Sequence, residues 1–304
     1  MSEPHRTLVM TGATSGIGAH ALAHLVARPG IRALVGARPS STRPSLEGVD
    51  TLPLDLSSLN DVRAFASAVL DRLDGKPIDM LILNAGAQFG NTSGRSADGF
   101  ELTFAVNHLA HYLLARLLLP AVAEGGRILL TTSGTHDPRV IPSAPKRLDV
   151  DGWVHATGSA TSAYSASKLC NLLTAEGIAA LPETTQRRIT CIAYNPGLTG
   201  GTGLSRAFPG PIRQTIRALR PVFILLSRVR PELYMNTPDH AGEILAQLAD
   251  GTVTPPAGRV YASLVRGKLA YPAPSQLAQD PAARDELWRR SAELTGLAIH
   301  ASTG

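Results

Sequence analysis

The sequence predicts an α/β chain built on one doubly wound parallel sheet, and three observations carry that expectation. Through the first two-thirds, short apolar runs alternate with longer helix-period segments, the pattern of repeated βαβ units. The run at residues 78–83 holds almost no polar residue, as a strand does when helices cover both faces of a parallel sheet. No internal repeat and no long linker interrupts the 304 residues. Residues 1–304 therefore read as a single domain with a lid inserted after the sixth strand, at about 199–238.

Residues 7–11 form the first expected strand, followed by Thr11-Gly-Ala-Thr-Ser-Gly-Ile-Gly18 and a helix over 16–27. Strands follow at 32–36 and 51–54, then a helix over 58–73 with Ser58 as N-cap and Asp61 in the first turn. A fourth strand at 78–83 precedes a long helix over 97–119 that stops at Pro120. A fifth strand at 127–132, a helix over 162–180 and a sixth strand at 188–194 continue the alternation. Beyond Gly197 the texture turns rich in Gly, Pro and Arg, with a helical piece at 212–219. A helix at 239–249, a strand at 258–262 and a helix at 281–297 close the chain.

Composition narrows the function classes. With 44% hydrophobic and 17% charged residues the chain is long and apolar enough to bury a large core. Its net charge of +5 is spread without a dense basic run, which argues against a nucleic-acid partner and leaves a mild attraction for anionic ligands. Cys170 and Cys191 have no metal-type spacing and no disulfide framework, so a reduced, cytoplasmic setting is expected. The first residues lack a signal-peptide apolar core, and no stretch of about 18 uninterrupted apolar residues predicts a membrane span. His20 with His24, and His108 with His111, have helical spacing, but the sequence offers them no obvious carboxylate or thiolate; they read as helix-face or core histidines, with no metal site.

Gly12, Gly16 and Gly18, between a strand and a helix, allow a tight turn and a close approach of a pyrophosphate to a helix N-terminus. After the second strand no acidic residue awaits a ribose; Arg38 stands there instead, with forked donors suited to a phosphate and with Ser40 and Arg43 as helpers. A solvated arginine loop is the plainer reading. Asn107 sits mid-helix, where asparagine is a poor helix former. Tyr164 and Lys168, in Ser162-Ala-Tyr-Ser-Ala-Ser-Lys168, are four apart on a helix and share a face. A free tyrosine, with a pKa of about 10, is a poor acid at neutral pH, and a nearby ammonium is expected to pull it down. Ser133, ending the fifth strand, can donate to a substrate oxygen as negative charge develops there.

Taken in order, Thr11-Gly-x-x-x-Gly-Ile-Gly18, Asn84-Ala-Gly86, Asn107, Ser133, Tyr164-x-x-x-Lys168 and Pro196-Gly197 resemble the motifs of the short-chain dehydrogenases/reductases. The match runs from Thr7 to about Tyr261. The resemblance implies a Rossmann-type fold and a small-molecule oxidoreductase in which Asn107, Ser133, Tyr164 and Lys168 are catalytic. It implies a nicotinamide dinucleotide along Gly12, Thr14, Ser15, Gly16, Ile17, Gly18, Arg38, Asp55, Leu56, Asn84, Ala85, Gly86, Tyr164, Lys168, Pro196, Gly197 and Thr199. Arg38 stands where NADP-preferring members carry a basic residue, so the expected cofactor is NADP(H). Asp55 resembles the aspartate near the adenine, or else caps the next helix. Asn107 is implied to hold a water linked to the lysine, and the turn at Pro196 to hold the nicotinamide carboxamide.

Within the family, Gly99-Phe-Glu-Leu102, Val106-Asn-His-Leu-Ala-His-Tyr-Leu-Leu114, Ser167-Lys-Leu-Cys-Asn-Leu-Leu173 and Glu286-Leu-Trp288 are most similar to the retinol dehydrogenase and protochlorophyllide reductase branch. The expected activity is interconversion of an alcohol and a ketone or aldehyde on a bulky, mostly apolar substrate. Reduction of a ring carbon–carbon double bond is the alternative, against which stands Leu198 where protochlorophyllide reductases have a cysteine. A non-catalytic dinucleotide sensor is a third reading, against which stands the retained Tyr164 and Lys168. Leu204, Phe208, Ile212, Ile216, Leu219 and Phe223 are expected to roof the site, with the arginines from Arg206 to Arg230 on a solvated face or facing an anion. The apolar run 113–119 serves either a homodimer contact between long helices or the core.

Overall fold

A computed structural model of the chain describes residues 6–41, 44, 46–200 and 234–299. It opens with β1 (Arg6–Thr11), α1 (Gly16–Val26), β2 (Ile31–Ala37), β3 (Val49–Pro53), α2 (Leu59–Leu73) and β4 (Ile78–Leu83). Next come α3 (Leu102–Ala121), β5 (Val122–Thr131), α4 (Val150–Val154), α5 (Ala160–Ala179), α6 (Pro182–Gln186) and β6 (Thr190–Asn195). The two-residue strands β7 (Leu198–Thr199) and β8 (Met235–Asn236) pair with each other. α7 (Pro238–Asp250), β9 (Tyr261–Val265), β10 (Lys268–Ala270) and α8 (Pro281–Leu294) follow. The expected lid residues Leu204, Phe208, Ile212, Ile216, Leu219 and Phe223, the arginines among them, and Arg43 lie outside the described residues.

Eight strands form one sheet in the order β10-β9-β6-β5-β4-β1-β2-β3. Every neighbouring pair is parallel except β9 with β10. The order reverses between β1 and β4, and in such sheets a crevice opens there beyond the carboxyl ends of the strands. Alternation along the strands splits the core into two layers. Leu8, Met10, Val35, Ile82, Leu129 and Ile192 pack under α1 and α7. Val9, Leu34, Leu81, Leu83, Ile128 and Leu130 pack under α2, α3 and α5.

Local chemistry sets the element ends. Ser58 caps α2 as expected, its hydroxyl accepting from Asp61 N at 3.2 Å. The helix predicted from residue 97 starts later, at Leu102. Gly99 takes φ +84°, and Ser96 Oγ accepts from both Asp98 N and Phe100 N, so 96–100 is a turn. The buried Glu101 then caps α3, its carboxylate accepting from Phe104 N at 2.7 Å. Inside α3 the turn Ala105–Leu109 widens into a π-helix. Leu113, Leu114, Leu118 and Leu119 are buried core within this chain. α3 is long and apolar enough to cross a membrane, and 78% of its apolar window is buried inside the fold.

The final strand sits at Tyr261–Val265 rather than 258–262, and the antiparallel edge β10 went unforeseen. Arg266 and Gly267 both have positive φ, which builds a two-residue hairpin without the Asn-Gly or Asp-Gly signal. The small helices α4 and α6 are too short to show a helical period.

α8 lies across α5 at Gly177, where an added Cβ would come within 2.7 Å of Trp288 Cε3. Trp288 in turn packs edge-on to Tyr112 of α3, ring centroids 5.1 Å apart, and its carbonyl accepts from the Tyr112 hydroxyl. Gly177→Ala is expected to cost roughly 1–3 kcal/mol in urea unfolding, the usual range for overpacking a well-filled core. A second change, Trp288→Leu, should recover part of that loss.

Candidate active site

A cavity of about 1890 Å³ opens at the β1–β4 reversal. Thr14, Ser15, Gly16, Ile17 and Gly18 line it from the turn before α1, with Arg38, Asp55, Leu56, Asn84, Ala85 and Gly86 beside them. Ser133, Tyr164, Lys168, Pro196, Gly197 and Thr199 line the other end. All the expected cofactor residues are thus brought to one cleft, and three of the four expected catalytic ones line it directly.

Not every glycine of the loop serves a ligand. An added Cβ at Gly12 would lie 2.6 Å from Ala85, and one at Gly18 would lie 2.0 Å from Gly12 O and 2.5 Å from Asn84 Nδ2. These two glycines let the start of α1 sit directly against the end of β4. What the loop offers an anion is the helix itself. Ser15, the N-cap of α1, makes no side-chain capping bond, and no acidic residue occupies the first turn. The first-turn amides therefore keep free donors at the positive end of the helix.

Polar side chains tie the strand ends together beneath the cleft. Thr11 Oγ1 accepts from Asn84 N at 3.1 Å and Ala85 N at 3.2 Å. Asn84 Nδ2 donates to Gly12 O at 3.2 Å, and Asn84 Oδ1 accepts from Thr131 Oγ1 at 2.9 Å. The Thr131 carbonyl then accepts from Lys168 Nζ and Asn171 Nδ2, each at 3.1 Å. Asn107 lies in the π-helical turn, fully buried, with Oδ1 accepting from Ala87 N and Nδ2 donating to Ala87 O and Ser167 Oγ. Its amide thus fixes the loop after β4.

Thr11, Thr131, Asn171 and Ser167 were not singled out from the sequence. A signal for the first two existed. β1 and β5 each end in a buried polar residue, as β6 does in Asn195, after runs that are otherwise mostly apolar.

Tyr164 and Lys168 are both buried on α5, with Lys168 Nζ 5.6 Å from the Tyr164 ring centroid. Burial pushes the Tyr164 phenol well above its ordinary value, opposed by a hydrogen bond with the Ser133 hydroxyl. Desolvation of the phenolate, rather than the expected pull from Lys168, sets the direction. Burial also lowers Lys168 to about 8. Its ammonium spends one donor on Thr131 O and makes no other hydrogen bond among the described residues.

Arg38 follows β2 and is exposed in the cleft wall, without an ion pair or side-chain hydrogen bond among the described residues. Asp55 does not cap α2, whose cap is Ser58; Asp55 Oδ1 accepts from Ser57 N and Oγ. Gly197 N donates to Asn195 Oδ1, and Thr199 Oγ1 donates back to Pro196 O at 3.1 Å. The excursion after Ser133 walls the far side. His136 Nδ1 donates to Ser133 O at 2.7 Å and its Nε2 accepts from Ser275 N. Arg139 pairs with Asp137 and donates to Ala273 O and Pro274 O. Phe89, Val106, Val140, Ile141, Leu198 and Leu264 supply apolar surface there.

Contrary to the sequence reading, His20 and His24 do meet a carboxylate. Asp239 Oδ1 lies 3.2 Å from His20 Nδ1 and 3.1 Å from His24 Nε2, on the exposed seam of α1 and α7. No group of three or more metal-ligating residues among the described ones could hold a metal ion.

A sequence profile described as short chain dehydrogenase matches residues 6–142. The dehydrogenase/reductase SDR family member 13 of Homo sapiens is 34% identical over 308 residues, covering 96% of this chain and 74% of that protein. The chain belongs to the short-chain dehydrogenase/reductase family. Retinol dehydrogenase 13 of Homo sapiens is 28% identical, with 97% of this chain and 86% of that protein aligned. A chloroplastic protochlorophyllide reductase of Cucumis sativus is also 28% identical, with coverages of 96% and 78%. Membership therefore falls in the retinol dehydrogenase and protochlorophyllide reductase branch. Among solved structures, an uncharacterised protein of Mycobacterium paratuberculosis superposes with TM-score 0.69 at 25% identity, covering 98% of this chain and 96% of that one. The NADPH-bound carbonyl reductase of chicken fatty liver shares the fold, with TM-score 0.59, 18% identity and coverages of 88% and 94%.

The buried histidines give the site a pH dependence of stability. Burial lowers His108 to about 3, helped by the charge of His111, and lowers His111 to about 4. The unfolded chain, with histidines near 6.5, binds more protons than the folded one between about 4 and 6.5. Stability is therefore fully present above about 6.5 and is lost as pH falls toward 4, by up to about 1.4 kcal/mol per pH unit for each histidine. Urea unfolding across that window should show the slope, and His108→Leu should flatten it by about half.

Proposed function

We propose that the chain is an NADP(H)-dependent oxidoreductase that interconverts an alcohol and a ketone or aldehyde on a bulky, mostly apolar substrate, with Tyr164 as general acid and base. The convergence of the Ser133 and Tyr164 hydroxyls with the Lys168 ammonium at one end of a cleft carries this reading. The other end of that cleft holds the uncapped start of α1 and Arg38, which has no ion pair among the described residues. The residues present fit a phosphorylated dinucleotide. The bare first-turn amides of α1 would take the pyrophosphate, Arg38 the ribose phosphate, and the unused Lys168 donors the hydroxyls of the nicotinamide ribose.

When bound, the dinucleotide supplies or receives the hydride. Ser133 donates to the substrate oxygen and orients it against Tyr164. The phenol, kept protonated by burial, gives its proton to that oxygen during reduction and takes it back during oxidation. Lys168 holds positive charge beside the phenolate that remains. Asn107 keeps the loop at Ala87 in place against Lys168, and the wall stitched by His136 and Arg139 excludes water. Both cysteines are buried and unpaired, which fits a reducing cytoplasm. Likeness to protochlorophyllide reductases supports ring double-bond reduction as a second reading, against which Leu198 in the cleft wall stands.

Three expected outcomes test this reading. Tyr164→Phe should lower kcat for ketone reduction by about 10²–10⁴ while NADPH affinity, followed by fluorescence, stays nearly unchanged. Arg38→Ala should raise the KM for NADPH by roughly 10–100-fold and leave that for NADH alone, matching the loss of a charge-assisted bond. Reduction consumes a proton, so kcat/KM should fall as pH rises through about 8, where Lys168 of the free enzyme loses its own.

A further inference from the structure

The His111 side chain is fully buried under the cleft, and its two ring nitrogens have different partners. Nδ1 lies 3.0 Å from the carbonyl oxygen of Asn107, one turn back along α3. A carbonyl can only accept, so Nδ1 carries the hydrogen. Nε2 lies 3.0 Å from Thr11 Oγ1. In the neutral ring Nε2 is an acceptor, so the Thr11 hydroxyl must donate to it. That leaves the Thr11 oxygen with two lone pairs, and two backbone amides, Asn84 N and Ala85 N, point at it. Every donor and acceptor of this cluster is matched once.

We infer that His111 is a positioning residue for the dinucleotide cradle: it fixes the rotor of the Thr11 hydroxyl so that the oxygen receives both amides at the end of β4, holding that end against the glycine loop. The inference deepens the function proposed above and rests on it for the ligand, not for the geometry.

The consequence of losing His111 follows from the same inventory. Without an acceptor at Nε2, the Thr11 hydrogen has no partner and competes with the Asn84 and Ala85 amides for space around the oxygen. Those amides lead into Asn84-Ala-Gly86. Asn84 bonds the glycine loop at Gly12 O and the fifth strand at Thr131, and Gly86 packs against Lys168 Nζ. A charged imidazole would be as disruptive as an apolar side chain, since three donors would then face two lone pairs. The ring is kept neutral by burial, with the ammonium of Lys168 opposing a second positive charge nearby. Asn107 brings the two halves together, because its carbonyl orients His111 while its amide holds Ala87.

The test uses the full-length chain with NADPH as probe, and His111→Leu beside His111→Gln, whose amide oxygen reaches the Nε2 position. Loss of one oriented hydroxyl bond predicts a rise in the NADPH dissociation constant of about tenfold for His111→Leu. His111→Gln should stay within about threefold of the parent, and kcat at saturating NADPH should change less than KM in both. Thr11→Val combined with His111→Leu should bind no more weakly than Thr11→Val alone, since both act through the same hydroxyl. Amide exchange in the ligand-free chain supplies a readout that needs neither binding nor turnover. His111→Leu should speed exchange at Asn84 and Ala85 while Ile192, in the middle of the sheet, keeps its protection. Uniform acceleration at all three amides, or additive losses in the double variant, would show a merely structural histidine and overturn the inference. A parent chain that binds no NADPH while the exchange pattern holds would instead overturn the proposed function and leave His111 in this role.

Discussion

A buried hydroxyl, that of Thr11, joins the first strand to the fourth at the point where the sheet reverses, and the site is assembled around that junction. Parallel strands leave a crevice between them at a reversal, and nothing in the ladder itself fixes how wide it is. Here Thr11, Asn84 and Thr131 bridge the ends of β1, β4 and β5 in one hydrogen-bonded line. The close seat of α1 against β4, permitted by Gly12 and Gly18, fixes the cleft's floor. Lys168 hangs from the same line through the Thr131 carbonyl, so the candidate catalytic helix α5 and the candidate anion-binding helix α1 share one frame.

The electrostatics of that frame are those of a dry site. Burial removes water from its ionisable side chains, which shift toward their neutral forms. The phenol of Tyr164 rises, Lys168 falls to about 8, and His108 and His111 stay uncharged across the physiological range. A lysine poised near neutrality beside a protonated phenol suits proton transfer to a developing alkoxide. The sequence argument that a nearby ammonium helps depress the tyrosine omitted desolvation, which spacing along a helix cannot reveal.

Much of the architecture was legible before the structure. The alternating apolar runs located β1, β2, β4 and β6 closely, β5 begins five residues earlier than expected, at Val122, and Ser58 announced the start of α2. Motif order brought Tyr164, Lys168, Ser133 and the glycine loop to one cleft. What escaped was set partly by local turn chemistry and partly by contacts distant in sequence. The late start of α3 depends on Gly99 and on the Ser96 side chain taking two amides. The Arg266–Gly267 hairpin lacks a strong turn signature, and Asp239 reaches His20 and His24 only because α7 lies on α1. His111 was readable as a core histidine and nothing more, since its partner Thr11 is 100 residues away.

The most direct measurement is to mix the chain with NADPH and a set of bulky aromatic ketones, aldehydes and quinones, and to follow the near-ultraviolet absorbance of the reduced nicotinamide. Steady loss of that absorbance with at least one carbonyl, accompanied by formation of the matching alcohol or hydroquinone, is the result this account predicts. NADPH that binds in the cleft yet survives the whole set unchanged would contradict it.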